Sequence, residues 1–215
     1  TIIDGTGQAP FRGDIAVRGE RIAAVGRVRA QARVVIDGSG LTTCPGFIDP
    51  HSHADLSLMQ YPLCENLVMQ GITTFLGGNC GESPAPQVTK TFGEWLRDVE
   101  RAGMSVNYAP LVGHHPLRKL ALGDNNRRRA TAGEIERMKE LLAEAVESGA
   151  FGLSLGLDPG PGHFADTEEL TALAKEVKKR GGLLDPHTRC VQSQWATDDP
   201  REVAYGIFYG PVEDA

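Results

Sequence analysis

The sequence predicts an α/β protein, with a short all-β stretch over residues 1–44 and parallel strands alternating with amphipathic helices from residue 45 onward. Three observations lead there. Short β-rich runs separated by turn residues fill the first 44 positions. After Pro45, brief apolar runs alternate with stretches whose apolar residues recur at helical spacing. Two of those stretches open on the same start signal, a threonine followed three residues later by a glutamate.

Taken in order, residues 14–18 and 21–25 read as two strands flanking Gly19-Glu20, a pair suited to a tight hairpin turn. Val34, Val35 and Ile36, followed by Asp37-Gly38-Ser39-Gly40, predict one further strand and a turn. So few strands bury too little surface to stand alone, and are expected to pair with each other and lean on the α/β region after residue 44, or on strands outside the chain. Beyond Pro45, strands are predicted at 47–49, 73–76, 106–109 running towards 111–112, 151–155 and 183–184. Between them, Thr91 and Glu94 cap a helix that carries Phe92, Trp95, Leu96 and Val99 on one face. Thr131 and Glu134 repeat the device before Ile135, Met138, Leu142, Ala145 and Val146. Asp166 opens a third helix with Leu170, Leu173, Ala174 and Val177 as its buried stripe. Gly149 and Gly181 stand where C-terminal caps belong. This alternation implies βαβ units, and both a doubly wound open sheet and a (β/α) barrel fit it. Five barrel-type strands are counted where a closed barrel needs eight. No GxGxxG follows the first of them, so a dinucleotide-binding sheet has little support.

Composition narrows the partners. With 40% hydrophobic and 23% charged residues over 215 positions, the chain is of ordinary globular make-up. A formal net charge of −6 argues against a nucleic-acid binder, and Arg127-Arg128-Arg129, the one compact basic run, reads as a solvated loop. No apolar run approaches the ~18 residues of a membrane helix, and the N-terminus lacks the pattern of a signal peptide. Cys44, Cys64, Cys80 and Cys190 are scattered, which fits reduced thiols and a cytoplasmic location. Beginning at Thr1 in strand-like sequence, the chain reads as trimmed at its start.

In either architecture, chemistry collects where parallel strands end. The first barrel-type strand runs into His51 and His53, whose i, i+2 spacing turns both imidazoles to one face of an extended chain. Two converging imidazoles begin a transition-metal site, although two surface histidines would have the same spacing. The second strand ends in Gly77-Gly78-Asn79-Cys80-Gly81, the third in Gly113-His114-His115, and the fifth in Asp185-Pro186-His187-Thr188-Arg189. Imidazoles and a thiol gathered at one end favour the metal reading over scattered surface residues. Cys80 is then a soft thiolate ligand suited to zinc. The competing readings make it a small buried hydrophobe, or a nucleophile activated by His114 or His187. The nucleophile scheme leaves His51 and His53 without a role.

These residues carry a resemblance. Ile3-Asp4-Gly5-Thr6-Gly7, the stretch from Asp14 to Ile22, Pro45-Gly46-Phe47-Ile48-Asp49, Gly71-Ile72-Thr73-Thr74, Gly78-Asn79-Cys80-Gly81, Leu111-Val112-Gly113-His114 and Gly149-Ala150-Phe151-Gly152-Leu153-Ser154 follow one another as in the N-acyl-D-amino-acid deacylase (D-aminoacylase) family of the amidohydrolase superfamily. The Asn-Cys-Gly motif is the most specific of them. The resemblance implies a partial metal-dependent (β/α)8, TIM-type barrel over residues 45–215, preceded by part of a small β-sandwich domain over 1–44. It implies zinc-dependent hydrolysis of the amide bond of N-acyl-D-amino acids, with His51, His53, Cys80 and His187 as metal ligands. Cys80 would take the bridging place that other amidohydrolases give to a carboxylated lysine, and residues 151–155 contain no lysine. His114 matches a family histidine without a definite role. Zinc would polarise the amide carbonyl and lower the pKa of water to about 7, with a carboxylate passing the proton to the leaving amine.

The sequence also departs from that family. The resemblance stops after Arg189; the family's last zinc histidine and its general-base aspartate are expected beyond residue 215, and nothing marks Asp198, Asp199 or Asp214 as a replacement. Asp158-Pro159-Gly160-Pro161-Gly162 stands where the family carries an aromatic residue. Five units cannot close an eight-stranded barrel, so a missing C-terminal half or an oligomer partner is expected to be needed for full activity. A cyclic-amide hydrolase of the dihydroorotase or hydantoinase kind is the alternative enzyme, disfavoured by the Cys80 motif. A non-catalytic metal-binding fragment is the third reading.

Overall fold

In a computed structural model, residues 1–158 and 160–189 are described. Pro159, Cys190, Asp198, Asp199 and Asp214 lie outside them. The chain divides into two compact units, Thr1–Phe47 and the stretch from Ile48 onward.

In the first unit, β1 (Asp14–Arg18) and β2 (Arg21–Gly26) form the expected antiparallel hairpin. Gly19 sits at its turn with φ +61°, a conformation that favours a residue without Cβ. Ile2 bridges to both Phe11 and Thr43 and is buried. The strand expected at 34–36 does not form: Val34, Val35 and Ile36 are unpaired and at least two-thirds exposed. β-branched residues favour a pleated, half-buried surface, and without a paired neighbour that preference has nothing to act on. The turn after it does form, with the Ser39 amide donating to Asp37 Oδ1 at 2.9 Å.

The five-stranded sheet is built from β3 (Phe47–Asp49), β4 (Ile72–Gly77), β5 (Asn107–Gly113), β6 (Gly152–Gly156) and β7 (Leu183–His187). Their order in the sheet is their order in the chain, and β4–β5, β5–β6 and β6–β7 pair in parallel. A doubly wound sheet reverses its strand order at a switch point. No reversal occurs among the described strands, so the open alternative is set aside and the sheet is part of a (β/α) barrel.

The connections are α1 (Glu65–Val68), α2 (Phe92–Ala102), α3 (His114–Leu122), α4 (Ala132–Glu147) and α5 (Thr167–Lys179). Both capping boxes are present: Thr91 Oγ1 accepts from the Glu94 amide while Glu94 accepts from the Thr91 amide at 2.8 Å, and Thr131 and Glu134 repeat the pattern. Asp166 caps α5 through the Glu169 amide at 3.0 Å. Each cap contributes about 1 kcal/mol. The helical stripes meet the sheet in one core, where Phe75, Val112, Leu117, Met138, Leu142, Leu153 and Leu173 are wholly buried. Each such side chain stabilises the fold by roughly 1.5–3 kcal/mol.

Helix α3 was not legible in the sequence. It starts directly at His114, with Gly113 as its N-cap, and its buried face carries His114 and Arg118 beside Leu117 and Leu122. Two polar residues on the inward face break the apolar period that marks a helix.

Candidate metal centre

The strand ends deliver their side chains by different routes. Strand β3 stops at Asp49, so His51 and His53 lie beyond it in a loop rather than on the strand itself. Asp49 Oδ1 accepts from the His51 amide at 3.1 Å, and the Ser52 amide donates to the Leu76 carbonyl of β4 at 3.0 Å. These two bonds fix the loop, and the imidazoles meet edge to face with centroids 5.6 Å apart. At the end of β4, Cys80 holds φ +56°, between Gly78 at +83° and Gly81 at +76°. Its Sγ lies 3.3 Å from His51 Nε2.

His51, His53 and Cys80 form one group of potential ligands, with donor atoms all within 4.8 Å of one another. An ion about 2.0–2.3 Å from each donor spans donors up to ~4.6 Å apart, so the cluster is within a few tenths of an ångström of that reach. Two imidazoles and a thiolate are the donor set that zinc prefers. The residues therefore fit a metal. His187, at the end of β7, lies outside this three-residue group, yet its Nε2 is buried without a hydrogen-bond partner, as is Asp185 Oδ2 two positions earlier.

Burial and neighbouring carboxylates set the protonation of the groups around Cys80. Burial, then the negative charges of Asp185 and Glu82, push the Cys80 thiol above its ordinary range. A cation bound there would oppose that shift and favour the thiolate. Burial also raises Asp55, in the turn after His53, to about 6; the Gly78 and Leu56 amides oppose the rise without reaching hydrogen-bonding geometry. The hydrogen bond from His115 lowers Glu82, against the effect of its burial.

The histidines of the third strand end belong to a different structure. His114 is completely buried; its Nε2 is 2.6 Å from Glu169 Oε1, and Arg118 pairs with the other carboxylate oxygen. Arg118 also donates to the Asn126 and Arg128 carbonyls, which pins the polar loop that contains Arg127-Arg128-Arg129. His115 Nδ1 lies 2.8 Å from Glu82 Oε1, and its Nε2 lies 2.8 Å from the Gly156 carbonyl oxygen. Neither stands in the ligand group. Sequence reasoning also missed Asp55 and Glu82, and gave Asn79, Ser154 and Asp185 no role beyond the motifs that contain them. No local signal marks what they do, because each matters through a partner distant in the chain.

With this geometry in place, comparison with known proteins is specific. A sequence profile described as the amidohydrolase family matches residues 34–188. The chain is 40% identical to N-acyl-D-aspartate deacylase of Alcaligenes xylosoxydans xylosoxydans, over 86% of this chain and 41% of that protein. It is 36% identical to D-aminoacylase of the same organism, over 88% and 43%. Among solved structures, a D-aminoacylase superposes with a TM-score of 0.83 at 37% identity, covering 87% of this chain and 44% of the other. An N-acyl-D-glutamate deacylase from Bordetella bronchiseptica, complexed with zinc and a phosphonate mimic of the tetrahedral intermediate, also gives 0.83, at 38% identity over 87% and 43%. The chain thus spans less than half the length of these relatives.

Proposed function

The chain belongs to the amidohydrolase family, and from that premise we propose that it carries part of the active site of a zinc-dependent hydrolase that cleaves the amide bond of N-acyl-D-amino acids. The observation that carries this reading is the convergence of His51, His53 and Cys80 within 4.8 Å. Relatives at 36–40% identity bear the names of such deacylases. His51, His53, Cys80 and His187 would hold the metal. Zinc bound there supplies Lewis-acid polarisation of the amide carbonyl and a water acidic enough to ionise near neutral pH.

The rest is done by the chain's own residues. Cys80 would hold the cation as its thiolate; burial and the charges of Asp185 and Glu82 keep the proton on sulfur, and a bound cation would offset them. Gly81 keeps the floor of the turn thin, since a Cβ there would strike the Gly156 amide at 2.5 Å. β6 contributes Ser154 to this region and no lysine, which favours a linear-amide hydrolase with a cysteine-type site over the cyclic-amide alternative. The general-base aspartate and the remaining barrel strands are assigned to polypeptide beyond residue 215 or to a partner. We place part of a small β-sandwich domain at 1–44, the N-terminal portion of the (β/α) barrel at 45–215, and the protein in the cytoplasm. No helix among the described residues is long and apolar enough to cross a membrane.

Metal analysis tests the reading. The purified protein is expected to retain zinc through dialysis, with Cys80→Ala lowering the bound amount or weakening it. Unchanged stoichiometry and affinity in Cys80→Ala would remove Cys80 from the site, and failure of the zinc-loaded protein, joined to its missing strands, to release amine from any N-acyl-D-amino acid would remove the activity.

A further inference from the structure

Cys80 occupies a left-handed backbone conformation, in which a Cβ crowds the neighbouring backbone, so something outside the turn must hold it there. The turn lies against β5 and β6. A Cβ on Gly156 would meet the Cys80 carbonyl at 2.2 Å, and one on Gly78 would meet the Leu111 carbonyl at 2.1 Å. In that crowded contact Ser154, wholly buried on β6, makes two hydrogen bonds with its single hydroxyl. It donates to the Gly78 carbonyl and accepts from the Gly81 amide at 3.0 Å. The two bonded peptide groups lie on either side of Asn79 and Cys80. Asn79 tethers the same turn from the other direction, donating to the Ser52 carbonyl at 3.1 Å and the Leu76 carbonyl at 2.9 Å. Ser52 lies between His51 and His53, so Asn79 links the cysteine turn to the histidine loop.

We propose that Ser154 is the positioning residue for the Cys80 thiolate: its hydroxyl staples the turn shut across Asn79-Cys80 and so aims Sγ at the space shared with His51 and His53. The inference rests on the metal reading of those three residues. β6 thereby serves the centre without lending it a ligand, through backbone held 76 residues away in the sequence. Groups that orient a metal ligand from behind typically change affinity by roughly 10- to 100-fold when removed.

Cobalt(II) is the probe, because thiolate coordination gives a charge-transfer band in the near ultraviolet that imidazole and carboxylate do not. The wild-type protein is expected to show the band and Cys80→Ala to lack it; a wild type without the band defeats the metal reading itself, before Ser154 is at issue. Given the band, Ser154→Ala is expected to lose half or more of its intensity per bound cobalt and to bind cobalt at least tenfold more weakly. Ser154→Thr, which keeps the hydroxyl, should recover both relative to its isostere Ser154→Val. Leu173→Ala, a remote core truncation, should lower stability and leave the band intact. A Ser154→Ala protein with wild-type band and affinity, or a band lost equally in Leu173→Ala, overturns the proposal. Should the Ser154 variants not fold, amide exchange in the metal-free wild type decides: a Gly81 amide protected as strongly as the β6 amides supports the staple, and one that exchanges freely refutes it.

Discussion

Two pairs of histidines follow two strands of the same sheet and meet different partners. His51 and His53, after β3, are solvent-exposed, face each other and share their space with a thiol. His114 and His115, after β5, are buried and already engaged, the first with Glu169 and the second with Glu82 and the Gly156 carbonyl. An imidazole is available to a metal when its nitrogens are not committed to another partner. Position at a strand end brings a histidine to the right side of the sheet; the partners around it decide whether it binds or braces.

The sharpest way to break this contrast is to remove what braces the second pair. Glu169→Ala leaves Arg118 charged, buried and unpaired, and is expected to cost about 3–5 kcal/mol, read as a shift in the denaturant midpoint. A loss below 1 kcal/mol would mean that the triad is not the brace described. The first pair should show the reverse profile. His53→Ala is expected to weaken zinc by roughly 100-fold or more while moving stability by no more than ~0.5 kcal/mol, since the side chain is exposed. Equilibrium dialysis beside thermal unfolding measures both; a large stability loss without change in zinc would merge the two pairs into one class.

Acid should separate them further. Burial above all holds His114 below its ordinary value of 6.5. Burial works to raise Glu169, but the His114 hydrogen bond and the Arg118 charge prevail and hold it below 4.5. Both groups therefore bind protons more tightly in the unfolded chain, so their contribution to stability is present above the ordinary values and is lost as pH falls. Unfolding free energy is expected to drop as pH falls below about 6.5, more steeply below about 4.5, with Glu169→Gln flattening the lower part of the curve. The smallest effect is local. Thr131→Ala removes one cap of α4 and should cost about 1 kcal/mol without altering zinc binding, because the cap touches neither pair.

The sequence alone was sufficient wherever the cause lies within a turn of the chain. Thr91 and Thr131 each carry their glutamate three residues on, and the stripe from Ile135 to Leu142 needs only the helical period; both appear as expected. The chemical identities of the donors, two imidazoles and a thiol at strand ends, are likewise readable from residue type and spacing. Tertiary structure decided everything that depends on distant partners. It left 34–36 without a strand, because no neighbour pairs with it among the described residues. It formed α3 over a polar inward face, because Glu169, 55 residues beyond His114, supplies the compensating charge. It brought His51 to 3.3 Å from a sulfur 29 residues away, and set Cys80 in a left-handed turn against β6. Helix caps and periods are short-range and written locally, whereas a cluster of candidate metal donors depends on contacts between the ends of separate strands, and those exist only once the sheet has brought the strands together.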